Sequence, residues 1–169
     1  LISHDHYDHL DYRAIQELVS KTGHFYVSLG VKAHLQRWGV ADSKITEMDW
    51  HEQAQFGDLR LTLAPARHFS GRTLHNRNST LWGAWIVRSA NLSLFFNGDS
   101  GYGKHFAMIG ERYGPFDVAF MENGAYNPKG WPLVHMTPEQ SAQAAADIRT
   151  KVAVPIHWGK FDLAYHTWK

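Results

Sequence analysis

The chain has 169 residues, 44% of them hydrophobic and 20% charged, which is the composition of one ordinary globular domain. A net charge of +1 with histidine neutral gives no argument for nucleic acid or an anionic membrane as partner. The absence of cysteine excludes disulfides and thiolate zinc sites, and no apolar run approaches the ~18 residues of a membrane span. Twelve histidines is a high count for this length, and His enrichment is what a metal enzyme would show.

The chain opens on Leu1-Ile2, the end of a strand already under way. With Leu in place of an initiating Met, an N-terminal portion is expected to be missing. Ser3-His4-Asp5-His6-Tyr7-Asp8-His9-Leu10-Asp11 follows, an H-x-H-x-D-H array. Alternate side chains of extended backbone point the same way, so His4 and His6 can face one ion; after the turn, Asp8 and His9 can face a second. Imidazole and carboxylate without thiolate suit Zn, Mn, Fe or Ni.

Residues 13–22 then read as an amphipathic helix with Ala14, Ile15, Leu18 and Val19 on one face, stopped at Gly23. A strand is expected at 25–29, a helix at 31–38, and strands at 45–48 and 59–64. Two strands, 82–88 and 92–96, are joined by a hairpin-like Ser89-Ala90-Asn91. A helix is expected at 104–113 and a strand at 117–121. Thr137-Pro138-Glu139-Gln140 is a helix start with N-cap, Pro at the first position and a capping-box Gln, and that helix should run to about Thr150. Val152–Ile156 reads as a buried strand leading to His157. Strands alternating with helices argue a single layered α/β domain over residues 1–169.

Three ligand-type residues stand just past apolar strands: His68 in Pro65-Ala66-Arg67-His68-Phe69-Ser70, Asp99 in Gly98-Asp99-Ser100-Gly101, and His157 in Ile156-His157-Trp158-Gly159. A strand-end histidine alone is more often a hydrogen-bonded structural residue; the recurrence beside the opening array shifts the balance. The count also works: His4, His6 and His68 for one ion, Asp8, His9 and His157 for another, and Asp99 as the bridge, with an open position for a shared water.

These motifs, with Leu81-Trp82-Gly83-Ala84-Trp85, Gly98-Asp99-Ser100-Gly101-Tyr102 and Gly124-Ala125-Tyr126-Asn127-Pro128, resemble the metallo-β-lactamase superfamily of dinuclear hydrolases, and within it the N-acyl-phosphatidylethanolamine-hydrolysing phospholipase D branch. The resemblance implies a four-layer αββα sandwich, here without the strands that precede His4 in the family. It implies two divalent ions, Zn first, and attack on a phosphodiester by hydroxide held between them and oriented by Asp8. His135, in a Val-His-x-x-Pro-Glu setting that resembles the branch, is the implied proton donor to the leaving group. Tyr126 and Trp158 are expected to line the substrate pocket, and Asp11 and Arg72 to orient ligands. The implied partner is a small-molecule or phospholipid substrate, in the cytoplasm or at the periphery of a membrane, with a homo-oligomer left open. Fold and ligands do not fix the bond cleaved, so a lactonase or other ester or amide hydrolase stands as an alternative, as does a metal-binding relative without turnover. Gly98-Asp99-Ser100-Gly101 also resembles the nucleophile segment of chymotrypsin-like serine proteases, but that motif accounts for none of the strand-end histidines.

Overall fold

A computed structural model describes residues 1–127, 129–160 and 164. Pro128 of the Gly-Ala-Tyr-Asn-Pro motif lies outside them. Helices α1 (Tyr12–Leu18) and α2 (Lys32–Arg37) alternate with strands β1 (Phe25–Ser28) and β2 (Ile45–Met48). Strands β3 (Gln53–Phe56), β4 (Leu59–Ala64), β5 (Ala84–Arg88) and β6 (Ser93–Phe96) form a meander. Helix α3 (His105–Tyr113), β7 (Phe116–Glu122), α4 (Pro138–Asp147) and β8 (Thr150–Ile156) complete the described chain.

Strand alternation sorts the apolar residues into three layers of contact. In β1, Phe25 and Val27 join Ile15, Leu35 and Ile45 beneath α1 and α2, while Tyr26 faces the other way onto Leu61, Leu63 and Trp85 of the larger sheet. The opposite face of that sheet carries Ile86, Phe95, Ala119 and Met121 against Phe106 and Ile109 of α3, Ala144 of α4 and Ile148 just past its end. The order helices, two-stranded sheet, six-stranded sheet, helices is the expected αββα sandwich.

The small sheet pairs β1 and β2 in parallel, with Ile2 bridged to Val27; the large sheet runs β3-β4-β5-β6-β7-β8. The β4–β5 and β5–β6 pairs are antiparallel, and β6–β7 and β7–β8 are parallel. Strands β4, β6, β7 and β8 therefore all end at one edge of the sheet, where an α/β scaffold presents its functional loops.

Several boundaries differ from the sequence reading. Of the expected stripe only Ile15 and, in part, the α1 C-cap residue Val19 face the core; Ala14 and Leu18 are exposed, so the stripe is narrower than its spacing suggested. Strand β3, Gln-Ala-Gln-Phe, alternates over only four residues and stays largely exposed, so it is held by pairing with β4. β5 begins at Ala84, because Trp82 turns aside to donate its indole N–H to Ala66 O. Helix α4 has the expected capping box but ends at Asp147, and the left-handed φ of 60° at Arg149 turns the chain into β8. β8 itself is half-exposed along its length, since among the described strands it pairs with β7 alone.

Candidate metal centre

The residues after Ile2, β4, β6 and β8 meet at the shared sheet edge. His4 Nε2 and His68 Nε2 lie 2.9 and 3.2 Å from His6 Nδ1, and 3.9 and 3.7 Å from Asp99 Oδ2. On the other side of Asp99, His9 Nε2 lies 3.1 Å from Oδ2 and His157 Nε2 3.3 Å from Oδ1. Asp8 Oδ2 stands 3.3 Å from His9 and 3.2 Å from His157. The seven side chains form two groups, His4/His6/His68/Asp99 and Asp8/His9/Asp99/His157; within each, the ligand atoms lie within 4.8 Å of one another. Asp99 belongs to both.

The supports hold ring orientations. His68 Nδ1 donates to Val134 O at 3.0 Å, which fixes its tautomer and leaves the Nε2 lone pair for the cluster. Ser3 Oγ lies 3.0 Å from His4 Nδ1, turning Nε2 inward in the same way. Arg72 donates to the carbonyls of Asp5 and Leu10, both at 2.7 Å, and stacks on Tyr7, clamping the ligand loop from below. Asp5, fully buried, accepts from Gly71 N–H at 2.7 Å and ties the His4–His9 loop to the loop after His68. Asp11 acts elsewhere: its carboxylate accepts from Ala14 N–H and caps α1, so it is a helix cap and not a ligand orienter.

Backbone geometry is specialised here. His157 has a left-handed φ of 63°, a strained conformation for a non-glycine residue of the kind that collects at functional sites. Gly124 packs against it so closely that a Cβ would collide with the His157 carbonyl oxygen. Gly98, at φ 61°, lets the chain pass Ser3, where a Cβ would come within 3.0 Å of the Ser3 Cβ.

The electrostatics suit cations. Burial lowers His4, His6 and His68, the last to about 3, so these imidazoles are neutral, the form that ligates. For Asp99, burial pushes upward but is outweighed by the hydrogen bond from His9 and the charges of His9, His157 and His4, which hold it well below the carboxylate range. Asp8 is likewise held low: burial is outweighed by His157 and His9. The paired carboxylates reverse the effect of burial on His9 and raise it to about 10. Asp99 Oδ1 is buried and accepts no hydrogen bond among the described residues, which costs about 1–3 kcal/mol unless a positive partner meets it. A buried carboxylate with such an oxygen, beside the neutral imidazoles of His4, His6 and His68, fits a divalent metal, and the thiolate-free donor set fits Zn, Mn, Fe or Ni.

A cavity of about 330 Å³ opens on Asp8, His9 and His157 and is walled by Phe96, Ala125 and Trp158 among others. Trp158 is 55% exposed at its rim, and Ala125, not the neighbouring Tyr126, is among the described lining residues. His135 stands beside the centre, its ring 5.2 Å from that of His68 and 5.6 Å from that of His157. Sequence reasoning missed its neighbour Glu122, fully buried at the end of β7, whose Oε1 lies 3.3 Å from His135 Nδ1. The signal was present: Glu122, like Asp99 and His157, is a ligand-type residue at the end of an apolar strand.

Ser100 takes no part. It is fully buried; its hydroxyl donates to Gly101 O, accepts from Arg67 N–H and lies 3.0 Å from His105 Nε2. Burial, with the Arg67 charge, lowers His105 to about 4. Unfolding restores a pKa near 6.5, so between pH 6.5 and 4 the unfolded chain binds the extra proton and stability falls as pH falls; above 6.5 the contribution is constant. We expect His105→Gln to flatten that acid arm by up to about 2 kcal/mol after allowance for solvent screening. Urea midpoints at about pH 7 and about pH 4.5, either side of most of that window, test it. An unchanged difference between the two would contradict it.

Residues 1–158 match the family model described as beta-lactamase superfamily domain. An uncharacterized protein of Mycobacterium tuberculosis is 47% identical over 172 residues, 99% of this chain and 46% of its own length. N-acyl-phosphatidylethanolamine-hydrolyzing phospholipase D 1 of Caenorhabditis elegans is 33% identical over 175 residues, 96% of this chain and 49% of its own. A metallo hydrolase of the archaeon Ignicoccus hospitalis superposes with a TM-score of 0.77 at 22% identity, over 98% of this chain and 66% of that one. The chain thus spans about half the length of the curated relatives it matches.

Proposed function

The chain belongs to the beta-lactamase superfamily, and on that premise we propose that it carries the centre of a metal-dependent hydrolase that holds two divalent ions and cleaves phosphodiesters. The observation that carries this reading is Asp99, one carboxylate shared by two ligand groups. His4, His6 and His68 would hold one ion, Asp8, His9 and His157 the other, with Asp99 between them. Zn suits the donor set best, with Mn, Fe or Ni as alternatives. When bound, such ions acidify a water toward neutral pKa and neutralise charge on phosphoryl oxygens.

The chain's own groups do the rest. Asp8, anionic and at the cavity wall, orients the attacking water. His135, beside His68 and His157, carries a proton to the leaving alkoxide. The apolar walls exclude bulk water and accept an apolar substrate body, with Trp158 at the rim and Tyr126 beside the lining residue Ala125 as further contacts. A phosphodiester is favoured over a lactone because the C. elegans relative, similar over nearly the whole of this chain, is named for phospholipase D hydrolysis. Among the described residues no helix is long and apolar enough to cross a membrane, which is compatible with action on a lipid headgroup from the membrane periphery or on a smaller phosphodiester in the cytoplasm.

Turnover of a phospholipid and a chromogenic phosphodiester, each with a matched lactone control, tests the reading. Phosphodiester cleavage should be abolished by a chelator, restored by zinc or manganese, and untouched by a serine-directed reagent. Lactone turnover without phosphodiester turnover would overturn the substrate class.

A further inference from the structure

One cluster of ligand-type side chains remains outside the two groups. Glu122 Oε1 accepts from Met136 N–H at 2.8 Å, and its other oxygen, Oε2, has no hydrogen-bond partner among the described residues although the side chain is fully buried. His135 Nδ1 and His157 Nδ1 are likewise buried and without a hydrogen-bond partner among the described residues. A ligand atom from each of Glu122, His135 and His157 lies within 4.8 Å of those of the other two. Buried polar atoms without a hydrogen bond cost about 1–3 kcal/mol each, so three side chains that each carry one and bring ligand atoms together call for a ligand that meets them, even with His135 Nδ1 already 3.3 Å from Glu122 Oε1. Asp99 Oδ1 carries the same mark inside the main centre.

We propose that Glu122, His135 and His157 form an outer divalent-cation position, separate from the two-ion centre and filled at higher metal concentration than that centre. The donor set of one carboxylate and two imidazoles suits zinc. The proposal rests on the reading of His157 as a ligand of the main centre. His157 directs Nε2 at Asp8 and Asp99 and leaves Nδ1 for the outer ion. That sharing makes the outer position the weaker one. A neutral imidazole offers a single lone pair, so serving both ions costs the ring its remaining proton, and the two cations repel across it. Access is open, because the side chains of His135 and His157 are 13% and 14% exposed and His157 lines the cavity. An ion there also takes the nitrogen of His135 that faces Glu122, so excess zinc becomes an inhibitor of the proton-donating step.

Equilibrium dialysis of the chain against rising zinc, read by plasma mass spectrometry beside Glu122→Gln, tests this. Wild type should plateau about one equivalent above Glu122→Gln, with the variant at about two. Equal plateaus would overturn the outer position. A Glu122→Gln plateau well below about two would count against the main centre. The difference between the two curves would still decide the outer position in that case. Should Glu122→Gln not fold, zinc anomalous scattering from wild-type crystals decides: a peak between Glu122 and His135 at high zinc and none at low zinc is expected. The lack of that peak at high zinc would overturn the proposal.

Discussion

Asp99→Ala is expected to abolish hydrolysis, by about 10³-fold or more, and to empty both metal positions at once, because among the described residues no other carboxylate belongs to both ligand groups. The loss should exceed that of a ligand serving one ion: His6→Ala removes a nitrogen from the first group and leaves Asp8, His9 and His157 in place, so one ion should survive. The variant carries a structural cost as well, because His9 loses one of the two carboxylates it lies against. Asp99→Asn keeps the shape and serves as the fold control, checked by circular dichroism. Metal content and turnover measured together decide the matter. A folded Asp99→Ala chain that keeps two ions, or keeps its rate, would exclude Asp99 as the shared ligand.

Phe95→Ala is expected to cost about 3–5 kcal/mol, a large part of the roughly 5–15 kcal/mol that holds a typical domain folded. Phe95 is fully buried on β6 between the large sheet and the outer helices, with Ile86 and Ala119 as its strand partners and its ring 5.5 Å from that of Phe116. Truncation there opens a cavity that β5 and β7, pinned by pairing on both sides, cannot close. β6 also leads directly to Gly98 and Asp99, so a slackened strand should loosen the shared carboxylate and lower metal affinity. Leu74→Ala, at a side chain 95% exposed, is the control and should stay within about 0.5 kcal/mol. Urea unfolding measures both, and a Phe95→Ala cost below about 1 kcal/mol would contradict the packing described.

What could be read from sequence was what is encoded locally. The α4 start is legible because Thr137, Pro138 and Gln140 carry the cap in their own side chains, and the Ser89–Asn91 hairpin because the turn is short: Ser89 N–H bonds Leu92 O at 2.9 Å. The clustered candidates are legible because His68, Asp99 and His157, each ordinary alone, recur just past apolar strands beside the opening H-x-H-x-D-H array. Features set by neighbours were not legible. β3 exists by pairing with β4, the exposure of β8 follows from its place at the end of the strand order, and Ala14 and Leu18 fail to reach the core because the small sheet beneath α1 meets only Ile15 and Val19. Asp11 carries a ligand's chemistry and a cap's geometry, and only the position of Ala14 N–H separates the two. Glu122 obeys the same strand-end rule as Asp99 but is the final residue of β7 and not a loop residue, so the strand hides it until its contact with His135 is seen.

Two groups of side chains sharing Asp99 are the centre of the proposed chemistry. Metal content per mole of chain tests them most directly, by plasma mass spectrometry on protein purified without added metal and again after incubation with zinc at low micromolar concentration. About two equivalents of Zn, Mn, Fe or Ni, removed by chelator and lost together in Asp99→Ala, is the predicted result. No bound metal, even with zinc or manganese supplied in excess, would contradict it.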